Sequence, residues 1–215
     1  MIETWLKNPT PEALARKTRN EKKLLALGVP VSPTLPALGK GKLRTQKEIL
    51  ERLFALTVAA SKGDGLEQSK VDKLLAQLQA APFLSPEERA FVKDPKPSEA
   101  ELTKFGWRFW GVLVLLWSVG SVDSLERPKD PSISKLVTKD NGAALKKAAK
   151  LRSLDEILEA ADLLYREDWA CEDARLNGTP APSALDCDVV FEQHWALNWL
   201  ISYLGQAWDD VSTDT

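Results

Sequence analysis

Apolar residues return at helical intervals through most of the chain. Ile49, Leu53, Leu56 and Ala60 form one stripe, and Val71, Leu74, Leu75 and Leu78 form a second. Phe105, Phe109, Val112, Leu116 and Val119 form a third over four turns; on it Gly111 and Ser118 are small enough to admit a neighbouring helix. Val190, His194, Leu197, Ile201, Leu204 and Trp208 form a fourth near the end. No segment alternates apolar and polar residues in a way that compels a strand. The pattern predicts an all-α, single-domain bundle of six to eight helices.

Polar residues mark the helix starts. Thr45 with Glu48, Ser85 with Glu88, Ser98 with Glu101 and Ser153 with Glu156 are capping boxes, and Thr10-Pro11 opens an earlier helix. Gly28 ends that first helix. The prolines of VPVSPTLPALGKG (29–41) then forbid helix and predict an ordered, extended crossing. KDPKPS (93–98) reads as a linker and NGTPAPSALDCD (177–188) as a loop between the last two long helices. Residues 121–142, with Pro128, Pro131 and Gly142, form the longest irregular stretch.

Composition narrows the class. With 44% apolar and 28% charged residues, the 215-residue chain is globular rather than disordered. The most apolar run, Phe109 to Val119, is too short to span a bilayer. MIETWLKNPT has an early acid and no apolar leader core, so secretion is not expected. Cys171 and Cys187 lack any zinc spacing and favour a reducing, cytoplasmic setting.

Charge is distributed unevenly. Residues 1–150 hold 26 Lys and Arg against 17 Asp and Glu, whereas 151–215 hold 3 against 14. The expected arrangement is one domain over 1–215, with the basic portion 1–150 packed on the acidic portion 151–215. The other reading of such asymmetry is a nucleic-acid-binding arm, which requires the basic first helix to be exposed.

Candidate chemistry gathers in the acidic third. Glu159, Asp162, Arg166, Trp169 and Asp173 share one helix face, with Asp162 and Arg166 at the favourable i,i+4 spacing. That face is either solvated and ion-paired or a partly covered site. His194, the sole histidine, stands on an apolar stripe with Asn198 one turn on, a setting typical of a hydrogen-bonded core histidine. Asp209 and Asp210 follow the last predicted helix at its negative end, where acids cost about 0.3–1 kcal/mol unless compensated. The basic first helix, with Arg16, Lys17, Arg19, Lys22 and Lys23, is the expected partner, ahead of a bound cation. No phosphate loop, HExxH, EF-hand or nucleophile elbow is present, so no cofactor and no metal are expected.

Five blocks carry a family resemblance: RKTRNEKKLLALGVPVSPTLP, LRTQKEILERLFAL, WRFWGVLVLLWSVG, ADLLYREDWACEDAR and EQHWALNWLISY…WDDVSTDT. In that order they resemble the bacterial family called domain of unknown function 4272, across nearly the whole chain. The resemblance implies a single domain and no established activity. Its distinctive positions fall on Arg16, Arg19, Asp162, Arg166, Trp169, Glu192, Asn198, Trp208, Asp209, Asp210 and Asp214. With His194 these are the candidate binding or structural polar cluster. Gln193 stands where the family often has arginine, which weakens any role for a Glu-Arg pair there. The expected function is binding, with another protein as the partner and neither membrane nor nucleic acid, in an accessory or toxin-neutralising role. The alternative is a metal-assisted hydrolase using Asp162, Glu192, His194 and the tail aspartates, which requires those groups to converge within a few ångströms.

Overall fold

Each helix begins where a side chain can accept its first orphan N–H groups. In the computed structural model, which describes residues 9–39, 41–126 and 134–215, all four capping boxes close in both directions. Thr10 Oγ1 likewise accepts from the Ala13 N–H at 3.3 Å. The helices are α1 (Pro11–Ala26), α2 (Gln46–Gly63), α3 (Gln68–Leu78), α4 (Pro86–Lys93), α5 (Glu99–Trp107) and α6 (Phe109–Ser118). Two short ones follow, α7 (Ser134–Thr138) and α8 (Ala143–Ala148), then α9 (Leu154–Leu176) and α10 (Cys187–Leu200). Eight of them have eight residues or more, and no strand occurs among the described residues, so the chain is all-α as its pattern predicts. Pro128, Pro131 and Lys40, part of the predicted irregular stretches, lie outside the described residues.

Two predicted helices are corrected. The stripe from Phe105 to Val119 is shared by α5 and α6, which meet at Arg108; its N–H bonds back three residues, to the Phe105 carbonyl, and tightens the junction. The last helix ends at Leu200 because Ser202 and Leu204 turn left-handed, with φ of 52° and 54°. Leu204 and Trp208 therefore leave the His194 stripe, and Asp209 and Asp210 sit in a separate turn, Trp208–Asp210, rather than at a helix dipole.

Contacts group the chain into two units. Met1–Leu43 and Ser153–Thr215 make the first, and Arg44–Arg152 makes the second. Of the basic portion 1–150, only the first 43 residues belong with the acidic third, and the first unit carries a net charge of -7 against +5 in the second.

In the second unit α2 is buried on every side from residue 52 to residue 60, with Leu53, Phe54, Leu56, Val58 and Ala59 in the core. Such a helix is stable only when wrapped, and α3 to α7 wrap it. Its last turn meets α5 backbone to backbone: a Cβ on Gly63 would fall 2.2 Å from the Gly106 nitrogen. A tight crossing thus falls at Gly63 and Gly106, a pair that the apolar pattern did not single out. Lys62, buried nearby, donates to the Phe91 and Val92 carbonyls at 2.8 and 3.1 Å and closes the negative end of α4. Burial lowers its pKa, against the pull of Asp94 and other acids.

In the first unit α9 packs on both α1 and α10. The crossing after α1 buries Val29, Leu35, Ala37 and Leu38, as expected of an ordered segment. Lys42 N–H donates to the Ile201 carbonyl at 3.0 Å. Cys171 of α9 is bonded to Cys187 of α10 with Cα atoms 5.7 Å apart, so the cysteines no longer speak for a reducing compartment.

The second unit contains a testable economy. Glu88 closes its capping box and also pairs with Arg52, both side chains being buried. Removing one partner of a buried pair leaves a charge that costs about 3–5 kcal/mol. Arg52→Met should show that loss in urea denaturation. Adding Glu88→Gln, which keeps the cap without the charge, should recover most of it. A double variant as unstable as the single one would contradict the pairing.

Candidate functional site

Asp162 is fully buried at the centre of the α1–α9 contact. The i,i+4 spacing read in the sequence becomes a fork: Arg166 donates from Nη2 to Oδ1 at 2.8 Å and from Nε to Oδ2 at 3.0 Å. Asn20 of α1 adds a bond to Oδ2 at 2.9 Å, and the Leu38 N–H reaches Oδ1 at 3.4 Å. Arg166 also donates to the Pro36 carbonyl at 3.1 Å and stands 3.4 Å from Glu21. Arg16, itself buried, donates to the Leu38 carbonyl at 2.6 Å. Arg19 pairs with Glu159 at 2.5 Å on the exposed rim. Arg16, Arg19, Asp162 and Arg166 are thus brought together at the contact of α1 with α9, and around Asp162 the helix face is covered rather than solvated. With four donors on its two oxygens, Asp162 is committed to the scaffold.

A second cluster joins α9 to α10. His194 is buried, its Nδ1 3.0 Å from Asp168 Oδ2 and its Nε2 3.0 Å from Asn198 Nδ2. Both ring nitrogens are occupied, which is the core role its apolar stripe predicts. Asn198 also donates to the Ser212 carbonyl at 2.9 Å. The Tyr165 ring lies beside His194, with centroids 5.8 Å apart, and the Arg166 guanidinium sits 6.0 Å from the same ring, so Tyr165 stands between the clusters. Burial first, then the nearby Tyr203, pushes the Tyr165 hydroxyl up to about 12.

The C-terminal segment is ordered, but not as predicted. Trp208 is buried edge-on to Trp199 at 5.6 Å, and its carbonyl accepts from Trp195 Nε1 at 3.1 Å. Ser212 N–H donates to Gln206 Oε1 at 2.9 Å, and Asp214 N–H donates to Ser212 Oγ at 3.2 Å. The tail is held on α10 by a tryptophan and by backbone groups. Asp209, Asp210 and Asp214 do not meet the basic first helix: Arg19 turns to Glu159, and Arg16 and Lys17 turn to carbonyls of the crossing. α9 lies against α1, and its Glu159 and Asp162 take Arg19 and Asn20.

Trp169 packs with Leu24, Val29 and Ala170 in an apolar cluster, and Glu192 is buried in α10. Asp162 and His194 serve different clusters with their polar atoms engaged, and nothing in either cluster favours the hydrolase reading. Among the described residues no three His, Cys, Asp or Glu side chains are grouped to hold a metal. Sequence reasoning missed Asn20 and Asp168, whose roles depend on which helices touch; four-residue spacing from Arg16 was the available signal for Asn20. In the second unit an open cavity of about 640 Å³ is lined by Ser61, Asp64, Lys70, Lys73 and Gln77, none of them predicted. Lys70 pairs with Glu67 at 3.1 Å, so the rim holds little net charge.

Glu167 is the remaining titratable group of note. Burial raises its carboxyl from 4.5 to about 7, against a weaker pull from Lys23. The folded state then holds the proton more tightly than the unfolded one. Its contribution is present below about pH 4.5 and is lost as pH rises through 7. Glu167→Gln should therefore gain melting temperature relative to the parent between pH 5 and 8. A difference that is flat with pH would contradict this.

The sequence was compared with known families, curated proteins and solved structures. A family model described as Domain of unknown function (DUF4272) matches residues 16–211, which spans both units. No curated protein and no solved structure matches. With the match covering most of the chain, this protein belongs to the DUF4272 family of unknown function.

Proposed function

We propose that this protein works by binding another protein rather than by catalysis. One observation carries the reading: the groups that would do acid–base or metal chemistry, Asp162, Arg166 and His194, are buried and bonded to one another and to the backbone. What remains at the surface of the first unit is an aromatic and acidic face on α10. Asp188, Phe191 and Trp195 follow each other at helical spacing there, with the two rings 5.8 Å apart. Trp195 holds the Trp208 carbonyl, which brings the exposed Asp210 turn to the same edge. Tryptophan and phenylalanine ringed by acids suit a basic protein surface, with the aromatics as anchors. Arg16 bonded to Leu38 and Arg19 to Glu159 favour a protein partner over nucleic acid.

The whole chain, 1–215, is read as one functional domain. The first unit is built from both ends of the sequence, so the second is an insertion within it. No helix of the described residues is long and apolar enough to cross a membrane. A bacterial accessory protein, toxin-neutralising proteins included, is the role that this size and acidic face suit, and a cytoplasmic site of action is part of the same reading.

A photoreactive phenylalanine analogue at position 191 tests the face directly in cells that make the protein. The expected outcome is one discrete protein adduct, lost with Trp195→Ala and missing when the analogue replaces exposed Leu136. No adduct at 191, or the same adduct from both positions, would sink the proposal.

A further inference from the structure

The segment between α9 and α10 is fastened at few points. Cys187, the first residue of α10, is bonded to Cys171 sixteen residues earlier in α9. Between them Ser183 Oγ donates to the Leu27 carbonyl at 2.8 Å, and Leu185 packs on the cluster of Leu24, Val29 and Ala170 beside Trp169. Most of the other residues of 177–186 are exposed, and Gly178 and Ser183 have positive φ. Few buried contacts and exposed backbone mark a segment of low local stability. Its ends are capped on α9 by Thr179 and on α10 by Asp186, and the disulfide ties those two helices together.

What the segment covers is apolar. Leu25 and Leu27 at the end of α1, and Leu176 at the end of α9, are 58%, 57% and 75% exposed. Leu185 packs on the cluster around Trp169, and its withdrawal would add that cluster's surface to the apolar surface these leucines already expose.

We propose that residues 177–186 form a redox-held strap, closed by the Cys171–Cys187 bond and released when a dithiol reduces it. Cys187 is the more exposed of the two cysteines, so a dithiol's thiolate attacks its sulfur. The Cys171–Cys187 bond breaks, and the Cys171 sulfur leaves as a thiolate and takes a proton. The second thiol of the reductant then displaces Cys187. The products are two cysteine thiols and the reductant's own disulfide, and an oxidised dithiol reverses the exchange.

Trypsin reads the strap at Arg175, which is exposed at its base. In the air-oxidised full-length protein, thiol titration should find no free cysteine. Dithiothreitol should speed cleavage after Arg175 by about tenfold or more, while cleavage after exposed Lys146 and Lys147 of the second unit stays unchanged. Binding of 1-anilinonaphthalene-8-sulfonate should rise in parallel. Cys171→Ala with Cys187→Ala should show the fast cleavage without reductant and no response to it. Two free thiols before reduction, an unchanged rate after Arg175, or equal acceleration at all sites would each overturn the strap; the last would make the bond a general stabiliser only.

Discussion

A fully buried carboxylate has to be answered by charge and hydrogen bonds, and in this protein Asp162 is that carboxylate. Left alone in the interior, its charge would cost several kcal/mol even after relaxation. Arg166 neutralises it from the next turn of α9, so the charge problem is solved within one helix. The remaining lone pairs are then filled from elsewhere, by Asn20 of α1 and by the Leu38 backbone of the crossing. Arg166 in turn holds Pro36, and Arg16 holds Leu38. One ion pair thereby specifies how α9 meets α1 and the crossing that follows it, more than 100 residues earlier in the chain.

The same logic decides what this surface can do. A carboxylate whose four acceptor sites are taken, and an imidazole with both nitrogens bonded, have no capacity left for a metal or a substrate. Arg16, Asp162, Arg166 and Asn198 are used here to assemble the first unit. The second cluster extends that assembly: Asp168 fixes His194, His194 meets Asn198, and Asn198 holds the Ser212 carbonyl. On α10, Asp188 and Phe191 stay exposed.

Local features of this fold were readable from sequence because their causes are local. Each capping box needs only residues three apart, and Asp162 and Arg166 needed only four. Burial of His194 followed from its apolar neighbours. The helix break at Ser202 and Leu204 was hidden because neither residue favours a left-handed backbone, which tertiary contacts impose. The bond between Cys171 and Cys187 was hidden because two cysteines sixteen apart say nothing of which helices adjoin. The tail aspartates were misassigned because net charge by sequence segment cannot rank carboxylates by distance. Glu159 and Asp162 of α9 are equally acidic, and they meet Arg19 and Asn20 of α1.

The central claim is that the Asp162–Arg166 pair organises the first unit. Urea unfolding of Asp162→Ala, followed with hydrogen exchange of the crossing, tests it most directly. Leaving Arg166 buried and largely uncompensated should cost about 3–5 kcal/mol, and the amides of Leu35, Ala37 and Leu38 should lose protection before those of α2. Parent-like stability with a fully protected crossing would contradict the account.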